Sequence, residues 1–355
     1  MPESDYTNYV TFKEINEIPD SIREVVDNID RIRGIADELR GVDELYYIGC
    51  GTSYYVAIGA YLPLIADPSI RAIAIPASET LFYYLKQDHR ARKAIVAFSR
   101  SGTTAEVLHA VENARKKGFT VVGITCTEKS PLAEVADHSV LLKRCYEESY
   151  VMTKSYVAMQ LAGLLLSLSL LSDKHRYADR VIEESESLAS IAEKVLSNSH
   201  QYVEVAKNTL EREAFVFLGT TMTISAALEA SLKFKEMTRA YTEALYALEF
   251  RHGPIALAAR SRELAVFILA PKDESFDRVK KLYKELVSRG FSVRVVTNAE
   301  LHGEEQHIYI DWRGHPYYSS LLFIIPLYVT AFHRTVLKGY NPDKPEHLVK
   351  IVKSF

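Results

Sequence analysis

AIVAFSRSGTTAEVLHAVENARKKG, residues 94–118, decides how the chain is read. AIVAF reads as a buried strand and SRSGTT as a polar turn. Glu106 then opens an amphipathic helix with Val107, Ala110, Val111 and Ala114 on one face. Strand, hydroxyl-rich turn and helix together outline an anion site. A helix N-terminus presents unpaired backbone N–H groups and the positive end of its dipole, and Ser99, Ser101, Thr103 and Thr104 set hydroxyls beside them. Taken alone, the segment fits an ordinary capped βα turn equally well.

The same pattern recurs on either side. ELYYIGCGTSYYVAIGAYLPLIAD, from Glu44, is a short strand, a turn through Gly49, Cys50, Gly51, Thr52 and Ser53, and an apolar helix. RAIAIPASETLFYYL and GFTVVGITCTEKSPLAEVAD repeat strand, turn and helix, so a parallel sheet covered on both faces is expected, with ligands at the carboxyl ends of its strands. Ahead of it, residues 13–40 carry helical spacing and predict a surface helix. A strand at SVLLK gives way through Glu147 and Glu148 to a long apolar helix, and 176–212 reads as a charged, helical bridge. AFVFLGTTMTISAALEASLKFKEMTRAY, from Ala214, then restates the motif. It is followed by a β-prone ALYALEF, the turn RHGP, strands ELAVFILA and FSVRVVT, and a final apolar helix from Tyr317. The expected domains are 1–175, a bridge at 176–212, a second α/β unit at 213–340 and a docked tail at 341–355.

Composition narrows the function. With 355 residues, 48% hydrophobic and 25% charged, the chain is globular and long enough for two cores. A net charge of −3 gives no nucleic-acid footprint, so a small-molecule partner is expected. Cys50, Cys126 and Cys145 show no CxxC or metal-like spacing, so neither a disulfide framework nor a zinc site is expected, and a reducing cytoplasm fits. MPESDYTNYV lacks the apolar stretch of a signal peptide. Leu161–Leu171 and Leu321–Val329 are shorter than a bilayer requires and read as core helices, so no membrane partner is expected.

Three places carry candidate chemistry. Glu229, Lys233 and Glu236 stand at i, i+4 and i+7, on one face of the second-half helix; a solvated salt-bridging stripe competes with a proton-transfer set. His252 lies in a His-Gly-Pro turn able to fix an imidazole. His302, His307, His315 and His333 have no metal-like spacing and read as surface or packing residues. The tail YNPDKPEHLVKIVKSF is too apolar to hang free, and docking would carry Lys350 to a pocket, where desolvation favours attack on a carbonyl. A lysine snorkelling at the rim is the competing account.

KEINEIP, GCGTSYY, PASE, SRSGTT, YVMTKSY, LEASLKFKE, FRHGP and NPDKPEHLVK, in that order, resemble the tandem SIS (sugar isomerase) domain family. Within it the chain looks most like the isomerase half of glucosamine-6-phosphate synthase and the related amino-sugar phosphate deaminases and isomerases. The resemblance implies two tandem SIS domains, each a parallel sheet flanked by helices in a flavodoxin-like three-layer sandwich. It further implies a phosphosugar held by Ser53, Ser99, Ser101 and Thr104 and by the backbone of Arg100, with Gly51, Thr52 and Met152 near the sugar. Glu236 would shuttle the proton, Glu229 and Lys233 would lie beside the sugar, and Lys350 would meet its carbonyl. His252 would assist ring opening, donated across a homodimer interface. No metal or other cofactor is implied.

Departures shape the expected reaction. Pro2 stands where a glutaminase would start with cysteine, and YVMTK replaces the synthase's GVASTK, with Met152 in place of a serine. Deamination of glucosamine 6-phosphate to fructose 6-phosphate and ammonia is therefore expected. Deamination or aldose–ketose isomerisation of another phosphosugar, such as galactosamine 6-phosphate, and an ammonia-fed synthase subunit remain open. A non-catalytic sugar-phosphate sensor ranks below these, because it needs no proton-transfer set.

Overall fold

The computed structural model describes residues 3–65, 67–85, 91–172, 175–301 and 306–352. Three helices lead the chain: α1 (Val10–Asn16), α2 (Ile18–Asp27) and α3 (Ile29–Glu38). The single helix expected over 13–40 is thus broken. Pro19, without an N–H, sits in the first turn of α2, and Asn28, whose side-chain amide donates to the Glu24 carbonyl at 2.8 Å, closes α2 and opens α3.

Then come β1 (Glu44–Gly49), α4 (Thr52–Ala60), β2 (Arg71–Pro76), the one-turn α5 (Ala77–Glu79), β3 (Lys93–Phe98), α6 (Ala105–Lys116), β4 (Thr120–Thr125), α7 (Pro131–Val135) and β5 (His138–Leu141). These strands form one parallel sheet in the order β2-β1-β3-β4-β5. The central strand β3 is buried from Ala94 to Phe98, as a strand covered on both faces must be. Ile95 and Ala97 pack against Val107, Ala110, Val111 and Ala114 of α6, so the apolar face read from the sequence is the one that closes the core.

Four helices follow, α8 (Lys154–Leu171), α9 (Arg176–Glu184), α10 (Leu188–Ser197) and α11 (Ser199–Asn208). The second half holds β6 (Ala214–Gly219), α12 (Ile224–Thr238), β7 (Tyr241–Tyr246), β8 (Leu264–Ala270), α13 (Phe276–Ser288), β9 (Ser292–Thr297), β10 (His307–Tyr309) and α14 (Ser319–Leu337). Its sheet runs β7-β6-β8-β9-β10, all parallel, which is the first order with every index raised by five. The two-sheet α/β architecture matches the expectation. ALYALEF is divided, its first residues ending β7 and the remainder forming a 3-10 turn.

Contacts divide the chain into two units whose boundaries interleave. The segment through Asn16, Ser149–Val151 and Ser190–Leu348 form the unit of the second sheet; Glu17–Glu148, Met152–Ala189 and the residues from Val349 onward form the unit of the first. In the second-sheet unit, Asp343 accepts from the backbone N–H groups of Val10 and Thr11 at 3.0 and 2.7 Å, tying the leading segment in place.

Two expectations change. Cys126 and Cys145 form a disulfide, although their 19-residue separation carries no motif; both residues are buried, Cys126 directly after β4 and Cys145 after the neighbouring β5, where the fold brings distant chain together. The helices at 154–171 and 316–337 are long and apolar enough to cross a membrane by length and composition, since each extends beyond the run counted in the sequence. Their windows are 89% and 94% buried within the fold, so they serve as core helices.

Candidate active site

The site begins where β1 and β3 end. These strands are neighbours in parallel register, Ile48 opposite Ala97, so the turns that leave them emerge from the same carboxyl edge. Gly49 lets α4 fold tightly onto the strand end, for a Cβ there would lie 2.4 Å from the Ser53 carbonyl carbon. Gly51, with φ +54°, precedes α4, and Thr52 and Ser53 are its buried first residues. Cys50 in this turn is held as a neutral thiol: burial, and then the charge of Glu106, pushes its pKa up to about 12.

The second turn is knit by its own hydroxyls. Ser99 Oγ accepts from the Gly102 N–H at 3.1 Å and lies 3.2 Å from Thr104 Oγ1; Ser101 Oγ accepts from the N–H and hydroxyl of Thr103 at 3.2 and 2.9 Å. Gly102 takes φ +63°, and a Cβ there would meet Ser130 Oγ at 2.2 Å, so this position excludes side chains on two counts. α6 opens directly after Thr104, with its dipole at the turn.

Arg100 and Lys350 converge on one strand-following segment. The Arg100 guanidinium pairs with Glu147 at 3.3 Å, both side chains buried. Lys350 Nζ donates to the Glu147 and Glu148 carbonyls at 3.0 and 2.9 Å and lies 5.6 Å from the centre of the Tyr146 ring. The tail reaches the second turn itself, because the N–H of Ala105, the first residue of α6, donates to the Val352 carbonyl at 3.3 Å. Residues 353–355, the last of the expected tail, lie outside the described residues, as does His302. Met152 is half-buried, one residue before Thr153.

The second-sheet unit carries the other candidates. On α12 the side chains of Glu229, Lys233 and Glu236 are 0%, 1% and 15% exposed, so they form no solvated stripe. Lys233 Nζ lies 3.5 Å from Glu229 and also pairs with Glu236, while Tyr328 Oη donates to Glu229 at 3.1 Å. α14 packs on α12 and brings Tyr328 to the set, and burial makes its pairing obligatory. His252 is exposed in its turn, its N–H donating to the Glu249 carbonyl at 2.9 Å, ahead of Gly253 at φ +113°.

Within the first-sheet unit, then, stand Ser53, Ser99, Arg100, Ser101, Thr104 and Lys350, with Gly51, Thr52 and Met152; within the other stand Glu229, Lys233, Glu236 and His252. Glu147 was not singled out from the sequence. Its signal was a carboxylate at a strand end followed by Thr153 and Ser155, both of which bind it. Among the described residues, no group of three or more His, Cys, Asp and Glu is arranged to hold a metal.

Residues 38–169 match the SIS domain model. The chain is 30% identical over 351 residues to a glutamine–fructose-6-phosphate aminotransferase (isomerizing) of Sulfolobus acidocaldarius, covering 96% of this chain and 56% of that protein. It therefore spans little more than half the length of that curated relative. Among solved structures it is similar to a glucosamine-6-phosphate deaminase of Thermotoga maritima, at 29% identity and TM-score 0.76 over 97% of this chain and 99% of that one. The C-terminal domain of a Francisella tularensis glucosamine-fructose-6-phosphate aminotransferase shares the fold, with TM-score 0.85 at 21% identity over 95% and 98% of the two chains.

Proposed function

The chain is a SIS-domain protein, and from that premise we propose that it is an amino-sugar phosphate deaminase/isomerase that converts glucosamine 6-phosphate into fructose 6-phosphate and ammonia. The observation that carries the reading is the buried Glu229–Lys233–Glu236 set, in which Glu236 is the most exposed member. A carboxylate held against an ammonium and still partly exposed suits proton transfer between adjacent carbons.

The hydroxyls of Ser53, Ser99, Ser101 and Thr104, with the backbone of Arg100 and the dipole of α6, hold the phosphate, which anchors the sugar without reacting. Gly51, Thr52 and Met152 border the sugar. His252, serving from the second subunit of a homodimer, assists ring opening. Glu236 removes the proton from C2 and returns it to C1; the enolamine between them collapses to the ketimine, and water releases ammonia. Lys233 and Lys350 offset the charge that develops on the way.

Purified protein given glucosamine 6-phosphate is expected to release ammonia and fructose 6-phosphate in equal amounts. Binding without release of either overturns the deaminase assignment and makes galactosamine 6-phosphate the next substrate. The similarity to the aminotransferase favours a second reading, isomerisation with ammonia delivered by a glutaminase; fructose 6-phosphate and ammonium together would then give glucosamine 6-phosphate.

A further inference from the structure

We infer that Glu147 is a positioning residue that links the phosphate turn to the tail lysine: its carboxylate fixes Arg100 and its main-chain carbonyl fixes Lys350. The inference rests on reading the Ser99–Thr104 turn as a phosphate cradle.

Glu147 is fully buried, and a carboxylate without water must have its oxygens filled by the protein. Oε1 accepts from the N–H and hydroxyl of Thr153 at 2.5 and 3.0 Å and from the N–H of Ser155 at 3.3 Å. Oε2 accepts from the Ser155 hydroxyl and from Arg100 Nη1 at 3.3 Å. Five donors therefore converge on one side chain, and four of them come from the start of α8. The carboxylate is seated on the body of the unit before it meets Arg100, so it acts as an anchor and Arg100 as the group anchored.

The consequence for Arg100 is electrostatic. An arginine beside a phosphate turn is ordinarily read as an anion ligand, but here its charge is matched by a buried carboxylate. Its carbonyl is also fixed, accepting from the N–H of Cys126 at 3.1 Å and from the hydroxyls of Thr125 and Thr127 at 3.3 and 3.1 Å. Arg100 thus sets the shape of the turn, while the hydroxyls and N–H groups around it are left to face the ligand.

The consequence for Lys350 is geometric. Its ammonium is held by the consecutive carbonyls of Glu147 and Glu148, and that backbone keeps its place because the Glu147 side chain is pinned. The Cys126–Cys145 disulfide fastens the same segment from its other side, two residues before Glu147, to the residue whose N–H caps Arg100. A displacement at Glu147 therefore reaches Arg100 and Lys350 together.

The test compares the parent protein with Glu147→Gln, which keeps the shape and removes the charge. Two quantities are read: fructose 6-phosphate affinity by calorimetry, and the rate at which formaldehyde with cyanoborohydride methylates Lys350, followed by peptide mass spectrometry against the other lysines. In that reaction the amine and aldehyde lose water to give an imine, and cyanoborohydride supplies the hydride that reduces it. The expected result is affinity about tenfold weaker, the scale of one lost charge-assisted hydrogen bond, with Lys350 methylated roughly threefold faster while the other lysines are unchanged. An unchanged Lys350 rate overturns the inference whatever the affinity does, and so does a rise shared by all the lysines, which is what a purely structural loss would give. If Glu147→Gln fails to fold, Arg100→Gln breaks the same pair from the turn: affinity should weaken in the same way while the Lys350 rate stays at the parent value, because Glu147 remains seated on α8, and a faster Lys350 would overturn its place as the anchor. If the parent itself binds no fructose 6-phosphate, the proposed function falls, and the methylation rate still decides the role of Glu147.

Discussion

His333 shows what a single residue contributes when the fold takes its water away. The residue is 3% exposed, its ring packed edge-on against Tyr6 at 4.6 Å and Phe332 at 5.1 Å, and its Nδ1 has no hydrogen-bond partner among the described residues. Burial, reinforced by the charge of Lys207, lowers its pKa from 6.5 to about 4. The unfolded chain thus binds a proton between those values that the folded chain refuses, so stability is complete above pH 6.5 and declines as pH falls towards 4. The total is on the order of 3 kcal/mol. Urea midpoints measured from pH 7.5 to 4 should fall across that window, and His333→Phe should flatten the fall; an unaltered slope would refute the assignment. At the proposed site, Glu236→Gln is expected to abolish turnover while phosphosugar binding measured by calorimetry persists, since the proposed phosphate cradle is untouched. Single residues were legible in the sequence where local spacing carried them, as at Glu229, Lys233 and Glu236. Glu147 was not, because its meaning lies in Arg100 and Lys350, which stand 47 and 203 positions away.

The elements that the sequence made plain are those with a period. AIVAF followed by an i, i+3, i+4 apolar face is local information, and β3 and α6 stand where it puts them. The break between α2 and α3 depends on one side chain returning to its own helix, which periodicity does not see. The Cys126–Cys145 bridge depends on which strand lies beside which, and residue spacing says nothing about that. The bridge closes a 19-residue excursion through α7 and β5, so it restricts the unfolded chain by about 3 kcal/mol on loop-entropy grounds. Cys145→Ser should therefore lower the melting temperature by several degrees, and a reductant should lower the parent protein to the same value. Equal melting temperatures with and without reductant would show that the bridge carries no stability.

At the scale of the whole molecule, the repeat of sheet order is more regular than the repeat of chemistry. Where the first sheet follows its central strand with Ser99–Thr104, the second follows β8 with Pro271, Lys272, Asp273, Glu274 and Ser275. The cavity at that edge, about 490 Å³, is lined by Thr220, Thr221, Glu249, Asp273, Glu274 and His315 and, among the described residues, by no lysine or arginine, so its three carboxylates oppose a dianion. One phosphosugar per chain is therefore expected by calorimetry, and two would show that the second sheet has kept its cradle. The proposed homodimer makes a sharper prediction, because an exposed His252 that serves a second copy separates two halves of one reaction onto two chains. Glu236→Gln and His252→Ala are each expected to be inactive alone. Unfolded together and refolded as a mixture, they form mixed dimers in half of the molecules, and each mixed dimer has one site with both native residues. About a quarter of the parent activity should return on that statistic. No recovery, with mixed dimers demonstrated by mass, would place His252 in the service of its own chain.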